Sequence, residues 1–469
     1  MYYPKMGKKS TSKFGDTRLD TVYTSLVASM VTRYTVTLRQ VSQHDNEETR
    51  YRRFIKNPKV NAKLLVAQQW QGGQTDFTGR HVLVINDTST ISFAPRADRT
   101  DLGRVGHNTR RRGFDMHPSI MVDAANSRLY GVGAIEIQKI ELIQTAKEKA
   151  ERDQTRKDRG KLLFEQKKRY KWFSSPQQAI ANCAGADKYT LIGDRESDIY
   201  DLIARTLEQN WELIYRSKTN RRIEEQLGVK KLRDLLDKWS VEHTFDLALA
   251  ATKKRSAHTA IMDLKFGSLT LTRPKDTDST MAKSIDLQVI EVKERQTSVV
   301  GKEKAVHWIL LTSHPVHTIE QALQIIKWYQ WRWIIEELFR TLKSKGMDIE
   351  NSQVETFHAL SNLATMGLIA AAQVMQLVRA RDGQTEQKME DAFFETEQQC
   401  LRKLNIKMEG QSDKLKNPYS PDSLAFATWV IARLGGWSGY QSRRPAGPIT
   451  IIKGLIRFHH TLEGYYMRL

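Results

Sequence analysis

The sequence predicts an α/β protein with helical segments before and after a mixed core. Three observations carry that reading. First, Val82 to Ile85 in "RHVLVINDTSTISF" and the run ending at Gly193 in "KYTLIGDRESDIYDLIARTLEQ" are short and unbroken, as in strands buried on both faces. Second, from about Asn220 to Lys304 apolar and polar residues alternate in "HTFDLALA", "HTAIMDLKFGSLTLT" and "SIDLQVIEVKE". Third, after Ile319 the apolar spacing turns helical and stays so to the end of the chain.

Taken in order, residues 1–60 carry twelve Lys or Arg against five Asp or Glu. Leu19, Val22, Leu26 and Met30 recur at near-helical spacing, with Arg33 and Tyr34 closing the run. "ETRYRRFIKNPKV" then adds basic and aromatic residues, Arg53 among them, up to Pro58. This reads as a small helical module that contacts DNA; the plainer reading is a solvated basic arm. Asp87 and Asp194 each follow a predicted buried strand, where α/β sheets place their chemistry. Between them, "SIMVDAANSRLYGVGAIEIQ" reads as a strand pair, and the charged stretch Lys147 to Arg169 as a solvated helix and loop placed to touch DNA. "HALSNLATMGLIAAAQVMQLVRA", "LAFATWVIARLGGWSGY" and "TIIKGLIRFHHTLEGYY" supply the helical tail. The expected division is a helical module at 1–60, an α/β domain at 61–380 with a strand-rich insertion at 220–304, and a helical domain at 381–469.

Composition narrows the function. Lys and Arg number 74 against 54 Asp and Glu, a net charge of +20, with 40% hydrophobic and 27% charged residues. An excess that large costs self-repulsion and points to a polyanionic partner, nucleic acid foremost. Two cysteines, Cys183 and Cys400, exclude a disulfide framework and a cysteine-based zinc site. No apolar run reaches the roughly 18 to 20 residues of a membrane span, and "MYYPKMGKKS" has no apolar signal core, so a cytoplasmic location is expected. "GVG" at Gly131 to Gly133 and "GKKS" at Gly7 to Ser10 each lack part of a nucleotide-binding loop, so no nucleotide cofactor is expected.

The most informative stretch is "KWYQWRWIIEELFRTLKSKG", Lys327 to Gly346. Wound as one helix with Tyr329 at zero, Arg332 falls at about −60°, Glu336 at about −20°, Arg340 near +20° and Lys343 at about −40°. Glu337 lands about 80° away, off that stripe. The two adjacent acids are therefore not equivalent. The plain reading of Glu336 is a surface ion pair worth a few tenths of a kcal/mol. The sharper one joins it to Asp87 and Asp194, since three carboxylates from separate elements suit Mg²⁺ together with phosphate. Two such ions would activate a hydroxyl and stabilise the leaving oxygen of a phosphodiester, with Tyr329, Arg332 and Lys343 holding phosphates.

Tyr329, Arg332, Glu336 and Lys343 have the spacing Y-x2-R-x3-E-x6-K, which resembles the signature of bacterial DDE transposases of the Tn-five type. "VINDTSTISF" is similar to the family's first-aspartate strand, "GDRESDI" to its second-aspartate motif and "RSK" at Arg216 to Lys218 to the basic strand after it. "WILLTSHPV", "RFIKNPKV" and "IARLGG" also match, in family order, from about residue 15 to about 465. Ser197 departs from the usual alanine, and residues 135–172 align weakly.

The resemblance implies a ribonuclease-H-like core in which Asp87, Asp194 and Glu336 hold two Mg²⁺ ions, or Mn²⁺ in their place. It implies binding of double-stranded DNA at terminal inverted repeats, excision through a DNA hairpin, joining to target DNA, and a homodimer in a synaptic complex made by the helical tail. The same matching implies DNA contacts at Tyr329, Arg332, Arg340, Lys343, Arg216, Lys218, Arg33, Tyr34 and Arg53. It also implies that Trp308 stacks on a flipped base, against the plain alternative of a buried strand aromatic. His314 and His317 read as structural. A bacterial, nucleoid-associated protein without membrane or nucleotide partners is expected. The competing readings are a non-catalytic, transposase-derived inhibitor and a monomeric nuclease of related fold.

Overall fold

The computed structural model describes residues 12–71, 76–96, 99–105, 111–140, 162–251, 255–275, 277–343, 346–393, 395–440 and 445–466. The chain opens with four helices: α1 (Thr17–Arg33), α2 (Leu38–Val41), α3 (Asp45–Lys56) and α4 (Ala62–Gln69). Asp16 caps α1 by accepting from the Arg18 N–H, and Tyr34 ends that helix in the left-handed conformation (φ 52°).

A mixed sheet follows. Its strands are β1 (His81–Asn86), β2 (Ser89–Phe93), β3 (Gly103–Arg104), β4 (Arg112–Asp123) and β5 (Leu129–Lys139). Helix α5 (Lys171–Asn182), β6 (Lys188–Gly193), α6 (Tyr200–Glu208) and β7 (Glu212–Arg216) come next. The insertion adds β8 (Arg222–Gln226), β9 (Val229–Lys231), α7 (Leu232–Lys238), β10 (His243–Leu249), β11 (His258–Thr272) and β12 (Ser284–Glu294) before β13 (His307–Thr312). Strand order is β2-β4-β1-β6-β7-β13-β12-β11-β8-β9, with β5 and β3 on β4 and β10 on β11. β1, β6 and β7 run parallel, while β4 pairs antiparallel with both β1 and β5. The order β5-β4-β1-β6-β7 is that of an antiparallel meander joined to parallel crossovers, consistent with a ribonuclease-H-like core. The strand-rich block is not a separate body. It prolongs the same sheet, because β13 pairs with β7 on one side and β12 on the other.

Strand alternation builds two hydrophobic cores. Leu83, Ile85, Ile192, Ile214 and Leu310 face one side, whereas Val82, Val84, Leu191, Leu213 and Leu311 face the other. α5 and α6 contribute to the second core through Trp172, Phe173, Leu202 and Ile203. The first core is covered by α8 (Ile319–Gln330), α9 (Trp333–Leu342) and α10 (Phe357–Ala380), and it continues into α11 (Glu395–Met408), α12 (Leu424–Leu434) and α13 (Pro448–Tyr466). The amino-terminal helices share this core. Asn362 of α10 donates to the carbonyls of Ile55 and Val60 at 3.0 Å.

Two expectations need correction. α10 has the length and apolar content of a membrane span, although 83% of its most apolar window is buried inside the protein. Ser361, Asn362 and Thr365 interrupt its apolar residues, so a search for an unbroken run passes over it. The Lys327–Gly346 stretch is not one helix. It is α8 and α9 joined by a tight turn at Trp331–Arg332, where Arg332 N–H bonds to Tyr329 C=O and Ile334 N–H to Trp331 C=O. Three-residue bonds of this kind tighten the winding and change the phase of the two helices. Of the charged stretch Lys147 to Arg169, residues 147–161 lie outside the described residues, as does "GKKS". Residues 164–170 form two short 3₁₀ turns.

Candidate active site at the ends of β1 and β6

Parallel pairing of Ile85 with Ile192 brings Asp87 and Asp194 to the same end of neighbouring strands. Asp87 Oδ1 accepts from the Thr88 N–H at 2.7 Å. Asp194 caps its own turn, Oδ1 accepting from the Glu196 N–H at 2.8 Å. Ser197 donates to the Asp194 carbonyl at 2.6 Å, so this serine tightens the turn. Gly193 is required there, since a Cβ would lie 2.5 Å from Ser197 Oγ.

Glu336 comes from the first turn of α9, and Arg332 joins it to the sheet. Its guanidinium donates to Asp87 Oδ2 at 3.1 Å and to Glu336 Oε1 at 2.5 Å. The three groups are shielded: the Arg332 side chain is 10% exposed, Asp87 18% and Glu336 31%. Burial pushes the Asp87 carboxyl up to about 6; Arg332 and the Thr88 N–H oppose that, while Asp194 and Glu336 add like-charge repulsion. Asp87 thus feels both other carboxylates, and Arg332 pairs with it and with Glu336. Glu337 instead faces Arg379 of α10.

Among the described residues, no three His, Cys, Asp or Glu side chains are grouped closely enough to hold a metal ion. The guanidinium fills the interval between Asp87 and Glu336. The chemistry of the donors fits a hard divalent cation, since all three are carboxylates, and Arg332 already bridges two of them.

The other predicted residues divide by position. Tyr329 is buried, its hydroxyl approached by Arg216; burial raises its pKa and both Arg332 and Arg216 pull it down. Trp308 packs edge-on against Tyr329 with ring centroids 5.5 Å apart. Arg216 donates to the His307 carbonyl at 2.7 Å. Lys218 and Arg340 are exposed. Lys343 turns inward, its ammonium on Ser89 Oγ at 2.7 Å and the Thr90 carbonyl at 2.8 Å. On the amino-terminal helices, Arg53 is exposed and Arg33 is exposed while bonded to the Gln40 carbonyl at 3.1 Å. Tyr34 is half-buried, bonds to Thr341 of α9, and is pushed up to about 12 by burial. His314 shares Thr190 Oγ1 with His81.

Four further neighbours of the site are not among the residues the sequence predicts. Trp333 is 44% exposed, with the Arg332 guanidinium 5.6 Å from its ring centroid. Its signal was an aromatic between a basic and an acidic site residue. Lys171, at the start of α5, feels Asp115, Glu196 and Asp87 while burial lowers its pKa. His117 on β4 is buried and bonds to Thr88 Oγ1 at 2.9 Å, next to Asp87. Asp198 binds the loop after β7, far along the chain. For Lys171 and His117, partners supplied by other strands leave no local pattern.

A family model described as a transposase DDE domain matches residues 78–373, more than half the chain and the whole span from Asp87 to Glu336. The chain belongs to the DDE transposase family. Among solved structures, this DDE transposase is similar to a piggyBac transposase in a synaptic complex with hairpin DNA. The identity is 8%, the match covers 96% of this chain and 73% of that one, and the TM-score is 0.35.

Proposed function

We propose that this DDE transposase is of the Tn-five type: it binds the inverted-repeat ends of a mobile element, frees them by strand cleavage through a DNA hairpin, and joins them to target DNA. The observation that supports the reading is the placing of Asp87 and Asp194 at the same end of two parallel strands, with Arg332 bridging Asp87 to Glu336. Asp87, Asp194 and Glu336 would hold two Mg²⁺ ions, which supply an activated hydroxyl and a stabilised leaving oxygen. The chain's own residues do the rest. Arg332 keeps Asp87 and Glu336 together in a shielded site until DNA offers its guanidinium a phosphate instead. Arg216, Lys218 and Arg340 bind phosphates. Trp308 and Trp333 offer ring faces or edges on which an unpaired base can stack, worth about 1 to 3 kcal/mol per base against the cost of unstacking.

In this reading residues 1–60 recognise the element's end, 220–304 extend the DNA-facing sheet of the core, and 381–469 pair two protomers. The protein works on the nucleoid of a bacterial cytoplasm. The test uses duplex DNA taken from the sequence flanking the gene, with Mg²⁺. Wild-type protein should yield strand cleavage with a hairpin intermediate on denaturing gels, and Glu336→Ala should bind that DNA without cutting it. Cleavage by Glu336→Ala at the wild-type rate would overturn the assignment.

A further inference from the structure

The last acid of "GDRESD", Asp198, lies four residues beyond Asp194 yet does not face the acid cluster. Its side chain is 1% exposed and collects the loop that follows β7. Oδ2 accepts from the Lys218 N–H at 2.7 Å, the Thr219 N–H at 3.0 Å, Thr219 Oγ1 at 3.1 Å and Ser217 Oγ at 3.4 Å. Oδ1 pairs with Arg221 Nε at 2.5 Å, and Arg221 also donates to the Asp198 carbonyl at 2.6 Å. Arg221 is itself 9% exposed, so this is a buried ion pair at the root of an exposed basic loop. The loop's far side is held by α7: Arg233 N–H donates to Asn220 Oδ1 at 2.8 Å and its guanidinium to the Lys218 carbonyl at 3.0 Å.

We infer that Asp198 is a positioning residue, which locks the backbone of Lys218 to the turn carrying Asp194 so that the ammonium meets a DNA phosphate at a set distance from the acids. The inference rests on the transposase reading above. A loop fixed only by α7 would move with the insertion. Tied to Asp198, it moves with the strand end that bears the acid. Lys218 is exposed, and its own side chain needs no internal partner for the arrangement to hold.

The test is the salt dependence of binding to the flanking-DNA duplex, titrated in KCl without divalent ion. Removing one phosphate contact lowers the slope of log affinity against log salt by about one. Asp198→Ala should lower it as much as Lys218→Ala does, and the two together should lower it no further. Asp198→Ala/Arg221→Leu, which leaves no lone buried cation, should behave the same way if Asp198→Ala does not fold. An unchanged slope in a folded variant, or a second full decrement on adding Lys218→Ala, would overturn the inference. So would failure of both variants to fold, since Asp198 would then serve stability alone. A wild-type protein that never cuts the duplex with Mg²⁺ would sink the underlying reading instead.

Discussion

Two of the three acids and the third are placed by different means. Asp87 and Asp194 stand at the ends of neighbouring parallel strands, and their separation is set by backbone pairing from His81 to Ile85 against Lys188 to Ile192. Glu336 stands just past a tight turn between α8 and α9 and reaches the sheet through one guanidinium. The strand side can move only if the sheet unpairs. The helix side can move by adjusting one turn and exchanging one ion pair. The lesson is that a set of acids can have a rigid half and an adjustable half, with an arginine holding the gap.

The comparison breaks most visibly at the acids themselves. Asp194→Ala and Glu336→Ala should each reduce Mg²⁺-dependent cleavage of flanking DNA below about a thousandth of wild type, as loss of a group acting as part of a unit does. Binding in gel shifts should persist in both. If either variant cuts normally, that half of the site is wrongly assigned.

Acid tests the rigid half at its other end, where His81 Nε2 and His314 Nε2 both meet Thr190 Oγ1, at 2.7 and 2.8 Å. Burial lowers each imidazole to about 4, helped by Lys188 and opposed by Glu212. Their folded values lie below the ordinary 6.5, so the unfolded chain takes up protons first. Stability is full above pH about 6.5 and falls as pH drops toward about 4, by at most about 3 kcal/mol for His314 and less for the more solvated His81. Melting temperatures across that window should show the loss, and His314→Gln should flatten it. An equal pH dependence in that variant would move the effect elsewhere.

The adjustable half can be sharpened by removing its latch. Arg332→Gln should bind Mn²⁺ at least about tenfold more tightly without DNA, because a unit charge about 4 Å from a ligand is worth roughly 4 kcal/mol at an effective dielectric of about 20, and a tenfold change takes only about 1.4 kcal/mol of it. Electron paramagnetic resonance of free Mn²⁺ would read this. Weaker binding would mean that Arg332 organises the acids rather than competing for them. The smallest effect belongs to Glu337→Ala, which should alter cleavage within error and stability by no more than about 0.5 kcal/mol.

The same contrast explains what could be read from the sequence. The strand ends were legible, because an unbroken apolar run followed by an acid reflects burial on both faces, a local property. The strand pair in Ser119 to Gln138 was legible too, although β4 begins earlier, at Arg112. The turn at Trp331–Arg332 was not. Its residues are compatible with helix, and the break answers to distant partners: Trp328 Nε1 donates to the Ala124 carbonyl at 2.9 Å and Arg332 to Asp87. The inward course of Lys343 was hidden similarly, since Ser89 and Thr90 lie some 250 residues earlier in the chain, as did the ties that make Asp198 a hub.

The most direct test of the account is whether the three acids close on shared ions when DNA is bound. Fe²⁺ exchanged into the Mg²⁺ sites of the DNA complex, with ascorbate and peroxide, cuts backbone next to the metal. Protein fragments should end near Asp87, Asp194 and Glu336 together, all suppressed by excess Mg²⁺. Cuts at the two strand ends with none near Glu336 would contradict the account.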